Sequence, residues 1–166
     1  RSVGATQRAD RSTSVLRVNK KYPGIHAGST RDYRPQICVQ VDQSGSVDDA
    51  SLELLFGELQ SLATRADFVV YHFDCEVDKD SRKKWSRGRV EKAHRTRSGG
   101  TDFNAPTRWV NEGKEKCEAL IIMTDGCAPK PVPSRVRRCW VLIPGSKLDF
   151  EPDSRDIVVQ LKKKIA

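Results

Sequence analysis

The chain has 166 residues, 37% of them hydrophobic and 31% charged, with a net charge of +8, a size that suits one compact domain with a decorated end. No apolar run approaches the roughly 18 residues of a membrane-spanning helix, and Arg1 rather than Met opens the chain with no apolar stretch behind it, as expected of a truncated or processed sequence. Five cysteines, Cys38, Cys75, Cys117, Cys127 and Cys139, contain no CxxC pair; they fit neither a disulfide framework nor a zinc site, so buried free thiols in a reducing cytoplasm are expected, with a single bridge as the alternative.

Residues 1–35 carry a net charge of +6, show little periodicity and are punctuated by Pro23 and Pro35. They read as an extended N-terminal arm, in which Val15, Leu16 and Val18 offer a short edge strand. Residues 36–166 form the expected domain. Its first buried strand is predicted over 36–42, where Ile37, Cys38, Val39 and Val41 run into an Asp. Apolar residues then recur at Leu52, Leu55, Phe56, Leu59, Leu62 and Ala63 behind Asp48 and Asp49, which predicts a helix over about 48–64. Phe68 to Phe73 (FVVYHF) is a second buried strand, closed by Asp74 and extended past a bend by Val77; strand, helix, strand implies a parallel pair.

The segment 79–97 has a net charge of +7 and is too polar for a core strand, although Trp85, Val90 and Ala93 suit a hairpin at the sheet edge. Ser98-Gly99-Gly100 leads to Thr101, Asp102 and a short amphipathic helix marked by Phe103, Pro106, Trp109 and Val110. Strands are predicted at Ala119 to Thr124 (ALIIMT), ending at Asp125-Gly126, and at Cys139 to Ile143, with Ile157 to Leu161 as a terminal strand or short helix. The whole reads as an α/β, Rossmann-like doubly wound fold with a mostly parallel central sheet flanked by helices.

Polar residues recur just beyond the carboxyl ends of these strands: Asp42, Ser44 and Ser46 after the first, Asp125 after ALIIMT. In an open parallel sheet such ends converge on the ligand crevice. Carboxylates and hydroxyls from a tight turn, with Gly45 between the serines, suit a hard cation such as Mg²⁺.

DQSGS at 42–46, SGGTD at 98–102 and TDG at 124–126 together resemble the three-part metal-ion-dependent adhesion site of von Willebrand factor A (VWA) domains, in that family's order. The resemblance covers about 36–161. It implies that Asp42, Ser44, Ser46, Thr101 and Asp125 hold Mg²⁺, or Mn²⁺ or Ca²⁺, and that an acidic residue of a partner protein completes the shell. Asp74 and Asp102 are candidates for supporting those ligands from behind. With the lead-in NKKYPG at 19–24, the pattern is similar to the VWA-like C-terminal domain of bacterial and phage proteins whose upstream half is metallopeptidase-like. That closer likeness implies partners such as a MoxR-type AAA ATPase or phage structural proteins, in the cytoplasm or in a virion assembled there.

A non-catalytic interaction module is therefore expected. A Mg²⁺-dependent hydrolase is the weaker alternative, because the position two beyond Asp42 is Ser44 rather than a second Asp and no base converges on it. The other alternative is nucleic-acid binding through the arm and the basic surface of Lys83, Lys84, Arg87 and Arg89, with Trp85 stacking on a base. His26, His72 and His94 lack ligand spacing, and His72 reads as a core histidine.

Overall fold

The computed structural model describes residues 9–18, 27–33, 36–86, 88–95 and 99–162, so that NKKYPG, His26, Arg87 and Ser98 lie outside the described residues. The chain divides into two units, 1–35 and 36–166.

In the first unit β1 (Ala9–Val18) pairs antiparallel with β2 (Ala27–Tyr33), with a register irregularity between Ser14 and Val18. The strand containing Val15, Leu16 and Val18 is longer than the short edge strand expected. Its mixture of Arg, Ser and Thr gives too little apolar contrast to mark strand periodicity in the sequence.

In the second unit β3 (Ile37–Asp42), α1 (Asp49–Ala63), β4 (Phe68–Phe73), β5 (Val77–Trp85), α2 (Asn104–Asn111), β6 (Ala119–Thr124), β7 (Arg137–Leu142) and β8 (Ile157–Gln160) follow in order. The sheet among the described residues runs β5-β4-β3-β6-β7-β8, with every neighbouring pair parallel except β4 and β5. This is the doubly wound α/β architecture expected. Val77 corrects one reading: it does not prolong β4 but opens β5, which turns back antiparallel through Cys75 and Glu76.

The pleat sorts side chains onto two cores. Val39, Val41, Phe68 and Val70 meet Leu52, Leu55, Phe56 and Leu59 of α1. Cys38, Tyr71, Phe73, Leu120, Ile122 and Trp140 meet Phe103 and Val110 on the other side. The first helix starts where Asp48 accepts the Ser51 amide at 2.9 Å, a side-chain cap that also holds the Asp48 carboxyl below its ordinary pKa.

β5 is held by one large anchor: Trp85 is buried and stacks on Phe68 with ring centroids 5.9 Å apart. Val90, expected to help pin this edge, is instead 77% exposed, and Ala93 packs against the core. Cys75, expected among buried thiols, is exposed in the turn after β4, where no strand continues to cover it. All five cysteines are free.

Candidate metal centre

The strand order reverses between β3 and β6, which lie side by side while their crossovers leave in opposite directions. The crevice at the carboxyl ends of such a pair is open, because no connection bridges it. Asp42 ends β3, and Asp125 directly follows β6.

Thr124 joins the two. Its hydroxyl donates to Asp42 Oδ2 at 2.6 Å and lies 3.4 Å from Asp125 Oδ1, while accepting the Gly126 amide at 3.1 Å. Asp42 Oδ1 accepts the Ser44 amide at 2.9 Å, and Asp125 Oδ1 accepts the Cys127 amide at 3.1 Å. Both carboxylates are thus aimed by short local turns. Asp42 is fully buried and Asp125 is 5% exposed. Burial pushes the Asp42 carboxyl above its ordinary pKa, the Thr124 and Ser44 hydrogen bonds oppose that rise, and the nearby Asp125 charge adds to it.

The serine hydroxyls sit together, Ser44 Oγ 3.1 Å from Ser46 Oγ, the first buried and the second exposed. The Thr101 loop is drawn to them by its backbone: the Gly45 amide donates to Gly99 O and the Asp102 amide to Asp74 O, each at 3.1 Å. A Cβ on Gly99 would stand 3.0 Å from Asp74 Oδ2, so a glycine lets this loop lie against the end of β4. Thr101 is half-buried between those two ties. Asp102 turns its Oδ1 to Asn104, accepting the backbone amide at 2.8 Å and Nδ2 at 3.0 Å, which holds the start of α2. Asp74 Oδ1 accepts the Glu76 amide at 3.1 Å.

The three sequence segments therefore meet at one end of the sheet. Gly126, rather than Gly45, has the left-handed backbone, φ 89°, and a Cβ there would come within 2.4 Å of Lys147 O. Only glycine permits that approach of the 147–149 backbone to the Asp125 turn.

Sequence reasoning missed Arg95, half-buried at the foot of the first loop. Its guanidinium donates to Ser44 O at 3.0 Å, Gln43 O at 3.3 Å and Val47 O, and meets Asp49 Oδ1 at 3.3 Å. A fork of donors on three carbonyls of one loop fixes that loop from outside. Lying in a run of nine Lys and Arg, it had nothing in the sequence to separate it from its neighbours.

The basic surface is less available than its charge suggests. Lys83 and Arg89 both pair with Glu91, the latter at 3.6 Å; Arg89 also donates to Lys84 O at 2.8 Å. Trp85 is buried, which removes it as a platform for a base. His72 is a core residue packed by Phe56 and His94, and burial, with the His94 and Lys83 charges, lowers its pKa to about 4.

A model of the VWA-like domain (DUF2201) matches residues 37–159, from the start of β3 into β8. The chain belongs to this family. The chain is 27% identical over 155 residues, 93% of its length, to an uncharacterized protein of Thermotoga maritima, of which the match spans 38%. Its fold is similar to the crystal structure of the ArnB paralog VWA2 from Sulfolobus acidocaldarius, with TM-score 0.51 at 16% identity, covering 68% of this chain and 35% of that one. Membership of the VWA-like family points in general to a protein-interaction module. Among the described residues no helix is long and apolar enough to cross a membrane.

The donor set has a definite chemical character. No group of three or more His, Cys, Asp and Glu able to hold a metal occurs among the described residues. The candidate centre has two carboxylates and three hydroxyls, an all-oxygen set that suits a hard cation and not zinc.

Proposed function

We propose that this VWA-like domain is a metal-gated, non-catalytic interaction module. In this reading Asp42, Ser44, Ser46, Thr101 and Asp125 hold one divalent cation, Mg²⁺ first, with Mn²⁺ or Ca²⁺ as substitutes. One observation carries the reading: the Asp42 and Asp125 carboxylates are buried side by side around Thr124, and among the described residues neither has a Lys or Arg ion pair. Two buried carboxylates without a countercharge repel and pay heavily for lost hydration, so a cation between them is the natural complement.

When bound, the cation supplies positive charge and a coordination position open to an acidic side chain of a partner. The chain's own residues orient the ligands: Thr124 fixes Asp42, the Ser44 amide holds the other Asp42 oxygen, and the Gly45 to Gly99 bond brings the Thr101 loop alongside. Two features favour binding over catalysis in this reading. Ser44 stands where a hydrolase of this architecture would need an acid, and His72 is packed in the core with a pKa of about 4, ill-suited to act as a base near neutrality. The partner would belong to a larger assembly, such as an AAA ATPase complex or a phage particle.

Calorimetry of Mg²⁺ and Mn²⁺ binding to the chelator-stripped chain tests this, beside Asp42→Ala and Asp125→Ala variants whose fold is checked by circular dichroism. One ion per parent chain and none for either folded variant is the expected result. An absence of binding at millimolar metal would overturn the metal-gated reading.

A further inference from the structure

The sheet ends in an edge at the other extremity of the fold. β8 pairs with β7 on one side, and among the described residues no strand pairs with its other side. An edge strand carries a row of unpaired N–H and C=O groups, which proteins usually blunt with charge, proline or a bulge. Ile157–Gln160 contains none of the first two, and its β-branched residues Ile157, Val158 and Val159 are 48%, 43% and 44% exposed.

A cavity of about 620 Å³ adjoins the start of this strand, and its lining includes Ser134, Arg135, Arg137, Arg155, Asp156 and Ile157. Three arginines therefore line it where β8 begins, Arg135 also donating through Nη1 to Asn111 O at 2.9 Å. The carboxylates of Asp153 and Asp156 do not answer them, being engaged by Lys130 and Arg138 and, for Asp156, by the Trp140 indole as well. Ser134 Oγ is buried without a hydrogen-bond partner among the described residues. The cavity lies at the amino ends of β7 and β8, opposite the strand ends that carry Asp42 and Asp125.

We propose that β8 accepts an extended acidic peptide segment as an additional strand, with carboxylates of that segment seated among Arg135, Arg137 and Arg155. Backbone pairing supplies the affinity, and the exposed Ile and Val side chains take the alternate apolar residues of the incoming strand. Charge selects this occupant over a second copy of the chain. A two-fold pairing of β8 with itself, centred between Val158 and Val159, sets Arg155 opposite Lys162 of the other copy, and like charges directly opposite one another destabilise a strand pair. A carboxylate at the same place forms bidentate, charge-assisted bonds to Arg.

The test uses the full chain in excess EDTA, which separates this surface from any metal-dependent site. A fluorescein-labelled peptide of roughly eight alternating Val and Asp residues is titrated by anisotropy, beside the same peptide with Lys for Asp and one with its backbone amides N-methylated. The acidic peptide is expected to bind at least about ten-fold more tightly than either, a difference of about 1.4 kcal/mol. Arg137→Glu with Arg155→Glu should cause a similar loss, while Lys83→Glu with Lys84→Glu, on the opposite edge strand, leaves affinity within about two-fold. Four outcomes overturn the proposal: no binding at millimolar peptide, equal binding of the Lys peptide, equal binding of the N-methylated peptide, or self-association through β8 that the acidic peptide does not displace.

Discussion

Arg95 holds the first loop by three carbonyls, those of Gln43, Ser44 and Val47, so the aim of Ser44 and Ser46 depends on a residue some fifty positions away in sequence. Arg95→Ala leaves those carbonyls to water and frees the loop to sample other turns. We expect the folded variant to lose about ten-fold in Mg²⁺ affinity by calorimetry, and Arg95→Lys to recover little, because a single ammonium cannot span the carbonyls as a planar fork does. Unchanged affinity would mean that the turn and its Asp42 to Ser44 bond suffice. His72 sets a second expectation at this scale. Burial lowers its pKa to about 4, and His94, Lys83, Asp78 and Glu91 are the charged groups that act on it. Between that value and the ordinary 6.5 or so, the unfolded chain binds more protons than the folded one. Stability from the neutral imidazole is thus complete above about pH 6.5 and is lost as pH falls toward 4, by about 3 kcal/mol at most. Urea unfolding at pH 7 and pH 5 should show His72→Phe with a shallower pH dependence than the parent, whatever the variant's absolute stability.

At the scale of elements, β7 and β8 are tied by a buried ionic network rather than by apolar packing alone. Arg138, fully buried in β7, donates to Asp156 Oδ2 through Nε at 2.9 Å and Nη2 at 2.7 Å, and to Asp153 Oδ2 at 3.0 Å, while Trp140 Nε1 donates to the same Asp156 oxygen at 2.9 Å. Asp156 immediately precedes β8, so the network fixes where that strand starts. Arg138→Met leaves the Asp156 carboxylate buried without its cation, which should cost about 3–5 kcal/mol in urea unfolding. Adding Asp156→Leu should restore most of the loss, since the penalty lies in the orphaned charge, and a double-mutant cycle measures it. None of this was legible in the sequence, where an Arg at the start of a strand reads as surface. The strands FVVYHF and ALIIMT were legible, because burial on both faces demands a continuous apolar run that few other environments tolerate. β5 was legible only as an edge element pinned by Trp85, because only Ser81 and Trp85 of its nine residues are buried and the rest follow no period. The residues of the candidate centre stood out because they fall in short motifs rich in Asp, Ser and Gly, whereas Arg95 works through long-range bonds that have no local signature.

At the scale of the whole molecule, β3 and β6 pair side by side where the strand order reverses, and this pairing brings residues 42 and 125 together at the carboxyl ends of the two strands. Every residue of the candidate centre, both packed cores and the β8 edge belong to the unit that begins at Gln36. The β1–β2 ribbon has its own antiparallel register and contributes no strand to the larger sheet. A two-layered core of this extent, on both faces of a sheet whose β3 and β6 are covered on each side, is sufficient for cooperative folding by itself. We therefore expect a 36–166 fragment to unfold in a single transition and to bind Mg²⁺ within about three-fold of the full chain's affinity. Differential scanning calorimetry of the chelator-stripped and Mg²⁺-loaded forms checks both at once, because an ion that binds only the folded state raises Tm by mass action. Equal Mg²⁺-induced shifts in fragment and full chain would locate the binding energy wholly in the sheet unit. A fragment that unfolds cooperatively but shows no shift would instead make residues 1–35 part of the metal-binding machinery.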